Sequence, residues 1–599
     1  MKTRALFATL TLTLALTATH AAVRSPVADA AMKGDTVAVQ TLLRQGADVN
    51  APQADGMTAL HWAALNGDLK TANVLLVAKA KTEPMTRLGG YTPLHLGSSR
   101  GHAAVVTRLL QAGSLATAVT TTGVQPIHLA AQAGNPEAVR VLVDRGADVN
   151  AKDTTHGRTP LIFAVSENRL DAITVLLAKG ATPGLTTKVI DYPQRSAADN
   201  AARQVRDREI AATTGRAVIP SGGLNDPVGG GQGRAATAGA RAGGGRGAAA
   251  LTPFDPNDPD IPQAPGRGRA GGARGPSDIE QIGKQGGFTA LHYAVRDGYA
   301  SAAVLLLAAG TDVNRPTDGD RSSPMLVAVL NGQYDIAMAL IARGANPNLA
   351  SDDGVAPLFA VVNSEWALRT WYPQPTAGTQ QKTSYLQMME ALLEAGADPN
   401  ARTRSHIWYA SYNTGRMGVE FTGATPFWRA AYALDVDAMR LLVRYGGDSS
   451  IPTMTFGVAK RPNDPSGLNA APAGGPHVPP FHAASGVGYG TSRVAQQHRH
   501  VPDGWIPAAK YFLEELKVDV NVRDADGFTA LHHAAARGDN AMIKYLVSRG
   551  ADVMVVNRAG QTTVDMANSP EQRTQPFPET IKLLEGMGAK NNNRCAACK

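Results

Sequence analysis

Twelve short segments of this chain repeat one another at a spacing of about 33 residues, and this period restricts the fold more than any other feature. The cores of "TALHWAALNG", "TPLHLGSSRG", "QPIHLAAQAG" and "TPLIFAVSEN" start at Thr58, Thr92, Gln125 and Thr159, in steps of 34, 33 and 34 residues, with "SPVADAAMKG" in register at Ser25. A second series starts at Thr289, Ser323, Ala356, Thr425, Pro479, Thr529 and Thr562. Each core leads into an apolar helical run that ends in Gly-Ala-Asp-Val-Asn or a variant, as in "AVRVLVDRGADVN". The threonine is a helix N-cap and the following proline a first-turn residue. The glycine before "ADVN" stops the second helix in a left-handed conformation. A unit of two such helices cannot bury its own apolar face, but a stack of units can, and the stack is a solenoid.

The T-P-L-H-x-A pattern at this spacing resembles the ankyrin repeat family. The resemblance covers 25–184 and 285–590, in twelve units. It implies an all-α ankyrin-repeat solenoid, here in two blocks separated by a disordered Gly/Ala/Arg-rich linker, with a concave face that binds protein partners. The expected divisions are a signal peptide (1–21), block 1 (22–184), a polar helix and linker (185–284), block 2 (285–590) and a tail (591–599). Block 2 carries insertions at 366–384, 402–422 and 453–504.

The repeated histidine follows from the register. His61, His95, His128, His292 and His532 hold one position, His482 holds it in a degenerate unit, and together they are six of the 14 histidines. A residue that recurs once per structural unit does structural work. In the family this imidazole bonds near the capping threonine and ties adjacent turns. Consecutive copies lie about 10 Å apart, too far to share a metal through bonds near 2 Å. His533 falls where other units have Trp62, Leu96, Leu129 and Tyr293, a variable position that is read as facing the groove.

Individuality lies in the insertions. Aromatics make up only 5% of the chain, yet four of its six tryptophans fall within 366–428. Trp366, Trp371, Tyr372, Trp408, Tyr409, Tyr412 and Trp428, with Arg402, Arg404 and His533, are the candidate partner-binding residues. The competing reading is that these aromatics pack the inserted loops onto the solenoid. The third insertion holds His477, His482, His498 and His500 without a fixed ligand spacing and without a carboxylate or cysteine partner, so no metal site is expected. Between 216 and 275, seven arginines meet four aspartates without interleaved aromatics, which reads as a solvated linker rather than a nucleic-acid tether. Residues 190–211 read as a polar helix capping block 1.

The N-terminus has a basic start (Lys2, Arg4), an apolar run, and Thr19-His20-Ala21 before a cleavage point, the pattern of a secretory signal peptide. No later run is long enough to span a membrane. The expected product is therefore exported, bacterial-type, and periplasmic or secreted. The only cysteines, Cys595 and Cys598, form a C-x-x-C in the tail. A haem attachment would need histidine where Lys599 stands, and a local disulfide in an exposed tail is the plainer reading. No Walker A, G-x-S-x-G or H-E-x-x-H occurs. The sequence thus predicts a non-enzymatic, cofactor-free, monomeric scaffold for a protein partner. An exported redox accessory built on the C-x-x-C is the alternative.

Overall fold

A computed structural model describes residues 25–214, 278–366, 377–405, 407, 419–460, 463–488, 499–568 and 575–595. Among them twelve helix pairs follow one another, and they are numbered here as units 1–12 in chain order. The first helices include Ala59–Leu65, Pro93–Ser99, Pro126–Ala133 and Pro160–Ser166, each partnered by a nine-residue second helix such as Ala103–Gln111. Alanines at Ala59, Ala63, Ala64, Ala130 and Ala131 are fully buried, so small side chains let neighbouring first helices stack closely while Leu60, Leu94 and Ile127 fill the gaps.

The motif residues account for the unit's geometry. In units such as unit 2 the second helix starts after a glycine in the left-handed region and a capping acid: Gly67 has φ +68°, and Asp68 Oδ1 accepts from Thr71 N at 3.0 Å. At the other end, the asparagine of "ADVN" reaches the next unit. Asn150 Oδ1 accepts from Thr182 N at 2.8 Å, and Asn400 Nδ2 donates to Gly446 O at 3.0 Å. The repeated pentapeptide is thus a helix stop followed by an inter-unit clasp.

The two blocks, separated in the chain by the linker, stack on each other as one continuous solenoid. The helices of unit 5 (Pro160–Ser166, Leu170–Ala178) pack directly on those of unit 6 (Ala290–Arg296, Ala300–Ala308). Thr187 N donates to Phe288 O at 3.0 Å, and Gly287 N to Lys188 O at 3.2 Å. A strand at Val189–Asp191 pairs antiparallel with one at Lys284–Gly286. The polar helix runs from Tyr192 to Thr214, largely exposed, and does not cap block 1, because unit 6 covers that face. Residues 215–277 of the predicted linker and the predicted signal peptide, 1–21, lie outside the described residues. Among the described residues, no helix is long and apolar enough to cross a membrane.

Candidate functional site: the loop edge and its insertions

Between units the chain makes a tight loop, closed on itself and bonded to the loop before it. Thr120 N donates to Val124 O within one loop, while Thr121 N donates to Gly89 O of the preceding one, both at 3.0 Å. The same rung recurs as Thr154 N to Thr122 O (2.9 Å), Lys188 N to His156 O (2.8 Å), Asp352 N to Asp320 O (2.9 Å) and Arg558 N to Asp526 O (3.0 Å). These rungs satisfy backbone groups that would otherwise face a neighbouring loop unpaired. They also align the loop tips along one edge. On that edge the loops leading into units 3 and 4 expose Met85, Leu88, Leu115 and Val119, with Leu88 at 82% exposure, and Arg87 is exposed beside them. Leu115 N donates to Glu83 Oε1 at 3.1 Å, so the two loops are in contact. Sequence reading missed these residues. Their signal was an apolar side chain at a loop position where turn chemistry calls for a polar one.

The tie histidines lie beneath the edge. His61, His95, His128, His292, His482 and His532 are all fully buried. At His95 the Nδ1 accepts from Thr92 N at 3.1 Å and sits 2.8 Å from Thr92 Oγ1, while Nε2 lies 3.1 Å from Val124 O, the carbonyl just before the next cap. His61 repeats this with Thr58 and Tyr91 O, and His292 with Thr289 and Ser322 O. His128 reaches Ala151 O at 3.0 Å, and His532 keeps the cap bond to Thr529 N at 3.1 Å. At His61, His95, His128 and His292, an Nδ1 that accepts from the cap N–H and a carbonyl at Nε2 fix the neutral Nε2–H tautomer. Burial disfavours the charged form and holds His95, His292 and His532 at a pKa of about 4, with His61 and His128 also lowered.

Trp428, expected at a partner surface, is instead buried inside the solenoid. Thr425 caps its helix, so Trp428 stands at the tie position, and its Nε1 donates to Val478 O at 2.9 Å, again the carbonyl before the next cap. It is fully buried, stacked on Tyr432 (ring centroids 5.4 Å) and edge-on to Phe421 (5.6 Å). An indole here does the work of the imidazole. Trp366 is half-buried and donates Nε1 to Asp435 Oδ2 at 2.8 Å, an oxygen that also accepts from the Tyr385 hydroxyl at 2.9 Å. Arg402 is half-buried and donates to the carbonyls of Gly423 (3.0 Å) and Pro452 (2.6 Å), so it clamps loops rather than facing a partner. Arg404 is exposed, with its backbone N–H on Asp353 O at 2.8 Å. Trp371, Tyr372, Trp408, Tyr409 and Tyr412 lie outside the described residues. Where placed, then, the aromatic segment packs.

The third insertion straps units 10–12. Arg558 bonds Asp464 at 2.6 Å and Ala525 O at 2.6 Å, with its side chain 8% and that of Asp464 1% exposed. Arg523 reaches Ser466 O at 2.9 Å and Val556 O at 2.6 Å. Burial works against the Asp464 carboxylate, but hydrogen bonds from Ser466 and Arg558 hold its pKa down to about 2. His477 Nε2 lies 3.2 Å from Asp526 Oδ2, and the His500 ring packs 5.1 Å from Trp505. His498 lies outside the described residues.

His533 does not face the groove. It is 6% exposed and its ring meets that of His482 at 5.2 Å, while Asp524 Oδ2 lies 3.8 Å from His482 Nδ1 and 4.0 Å from His533 Nε2. The spacing argument against a shared metal holds for equivalent histidines, but these two occupy different register positions in adjacent units.

The tail is docked rather than exposed. Asp565 takes the tie position of unit 12; its Oδ2 accepts from Thr562 N at 2.8 Å and its Oδ1 from Arg594 N at 2.9 Å. Asn592 Nδ2 donates to Gly560 O at 3.1 Å, so residues 592–594 lie where a thirteenth loop would. Cys595 is 3% exposed and disulfide-bonded; Cys598 lies outside the described residues.

Known proteins share the repeat. A family model of ankyrin repeats (3 copies) matches residues 27–118, 113–187 and 275–363, and one of ankyrin repeats (many copies) matches 497–547, together just over half of the chain. Ankyrin repeat protein nuc-2 of Neurospora crassa is 28% identical over 195 residues, or 27% of this chain and 18% of that protein. The B-cell lymphoma 3 protein homolog of Mus musculus is 34% identical over 128 residues, or 21% and 28%. Putative palmitoyltransferase ZDHHC13 of Danio rerio is 31% identical over 129 residues, or 21% and 19%. The chain spans less than a third of the length of these relatives, all eukaryotic, and what it shares with them is the stacked unit. With the period, the capped helix pairs, the buried ties and the loop ladder all in place, the chain belongs to the ankyrin repeat family.

Proposed function

We propose that the chain is a non-enzymatic scaffold of the cell envelope or secreted space that holds a protein partner on its loop edge. The observation that carries this reading is the pair of bonded loops presenting Met85, Leu88, Leu115 and Val119 to solvent. Apolar side chains grouped on a surface mark contact sites, whereas singly scattered ones do not. The ladder beneath them is pre-ordered, which lowers the entropy cost of binding. The reading moves recognition away from Trp366, Trp428 and Arg402, which are engaged internally, and toward block 1. Export rests on the signal-peptide pattern at 1–21. A monomer without a nucleic-acid partner is part of the reading, since a formal charge of +8 over 599 residues builds no strong basic field. The redox alternative is disfavoured by the burial of Cys595, because exchange needs an accessible sulfur.

The test is site-specific photo-crosslinking of the full chain in its producing cells. Leu88 and Val77 are almost equally exposed, at 82% and 80%, but Val77 ends the second helix of unit 2, away from the loop tips. A crosslinker at 88 traps a discrete protein adduct, and one at 77 traps none. Equal trapping at both, or none at 88, refutes the loop edge as the binding surface. A mature N-terminus other than Ala22 refutes the expected cleavage.

A further inference from the structure

Two departures from the repeat pattern meet at one buried point between units 10 and 11. In the regular units the tie histidine's Nδ1 is occupied by the cap's N–H and hydroxyl. Unit 10 has Pro479 at the cap, which offers neither. His482 keeps its other bond, Nε2 to Val522 O at 2.8 Å, but its Nδ1 has no hydrogen-bond partner although the side chain is fully buried. The Nε2–H donated to a carbonyl fixes the tautomer and leaves a lone pair on Nδ1, the outer-shell arrangement that accompanies metal-ligating histidines.

The second departure is His533, at a register position that holds Leu96 and Leu129 in units 3 and 4. Its Nε2 also lacks a partner, in a side chain 7% exposed. Asp524 completes the group. Its Oδ1 accepts from Asp526 N at 3.0 Å and Phe528 N at 2.8 Å, which anchors the carboxylate with Oδ2 toward the two rings. The separations of 3.8 and 4.0 Å are too long for hydrogen bonds, so the three groups surround a common point instead of satisfying one another. All three donor atoms lie within 4.8 Å of one another. Bonds of about 2.0–2.2 Å to one ion place its ligand atoms roughly 3.3–3.6 Å apart, a closure reachable by small side-chain rotations.

We propose that His482 Nδ1, Asp524 Oδ2 and His533 Nε2 bind a divalent transition-metal ion of the zinc class, which staples unit 10 to unit 11. Two imidazoles and one carboxylate suit zinc and its neighbours; magnesium and calcium prefer all-oxygen sets, and copper(I) prefers thiolates. Neutral imidazole is the form a metal needs, and burial, with the neighbouring histidines and Arg537, holds His533 well below its ordinary pKa. The nearby cations are engaged elsewhere: Arg523 on the Ser466 and Val556 carbonyls, Arg537 on Asp539 at 3.2 Å and over the Trp505 ring. The burial of all three ligands suits a structural ion. Unit 10 has reason to use one, because its first helix is only Pro480–Ala483 and its cap bond is missing.

The experiment uses chelator-stripped full-length chain titrated with Co2+ as the spectroscopic probe and then with Zn2+. The expected result is a visible d–d band that saturates at one equivalent, lacks a thiolate charge-transfer band, and is displaced by Zn2+, with a Zn2+-dependent rise in melting temperature. His533→Leu, which restores the residue of units 3 and 4, weakens Co2+ binding at least ~100-fold, and Asp524→Asn does the same while keeping the Oδ1 acceptor. His500→Ala leaves binding unchanged. The proposal is overturned if the stripped protein gives no saturable band, if His533→Leu and Asp524→Asn bind as tightly as the parent, or if the band carries thiolate character.

Discussion

Mild acid destabilises this solenoid through its buried histidines, in a window set by their shifted pKa values. His95, His292 and His532 are fully buried, and desolvation holds each at about 4, against roughly 6.5 in an unfolded chain. A base with a depressed folded-state pKa stays neutral when folded and takes a proton when unfolded. Its contribution is therefore complete above about pH 6.5 and drains away as the pH falls toward 4. At pH 5 the protonation free-energy difference is about 2 kcal/mol per histidine, or about 6 kcal/mol for three, a large part of a typical domain's stability. If the units unfold together, the mid-window slope approaches ~4 kcal/mol per pH unit. The assay is urea unfolding followed by circular dichroism at several pH values between 7 and 4.5, on the parent and on a triple variant with His95, His292 and His532 each replaced by Gln. The variant is less stable at pH 7, and its stability falls less steeply with acid. Equal slopes for the two proteins would falsify the argument, as would parent stability that stays flat across the window. The Asp464 carboxylate, held at about 2, is a separate matter: its contribution is present above its unfolded value and is lost only as the pH falls through 2.

Trp428→His keeps a donor for the Val478 carbonyl in the family's own register, whereas Trp428→Ala removes both the bond and a buried ring; chemical denaturation shows the alanine variant lower by about 3–5 kcal/mol and the histidine variant closer to the parent. Arg558→Met leaves Asp464 buried and unpaired, costs about 3–5 kcal/mol, and makes the 463–475 strap an early site of limited proteolysis, while units 1–6 keep their resistance.

Almost all of the fold was legible because a repeat checks itself. Each tie histidine follows from its register, and the family resemblance supplies its expected bond near the capping threonine. The structure departs from the sequence expectation where residue type or variability outweighs the register. Trp428 was grouped with nearby aromatics, although its place three residues after Thr425 marks it as a tie. His533 was read as facing the groove because its position varies, but a variable position can be buried when the adjacent unit is itself irregular, as unit 10 is. The stacking of unit 5 on unit 6 was hidden because chain separation says little about spatial separation: Thr187 and Phe288 bond across 101 residues. The tail was read as exposed because it carries no helix pattern, yet what it contributes is backbone and amide hydrogen bonds, which leave no hydrophobic period.

The clasping asparagine is replaced in units 2, 3, 5, 9 and 11, by Glu83, Thr117, Gly184, Ser450 and Met554, and in unit 9 Ser450 bonds Asp448 of its own loop. Unit 10 loses the capping hydroxyl at Pro479, and its first helix shortens to four residues. Beside the losses of units 9 and 10 stand the added contacts: the indole tie of Trp428, the strap held by Arg523 and Arg558, and the His482–Asp524–His533 group. In a stack where each unit touches only its neighbours, a weak interface has to be repaired locally, since distant units cannot share its cost. The described parts of the block 2 insertions therefore reinforce the seam they interrupt. Units 2–4 keep the histidine ties and the loop rungs, although Gln125 replaces the capping threonine of unit 4 and Glu83 and Thr117 stand where other units carry the clasping asparagine, and their loop edge carries exposed apolar side chains. On the proposed reading, reinforcement and recognition fall on different stretches of one solenoid.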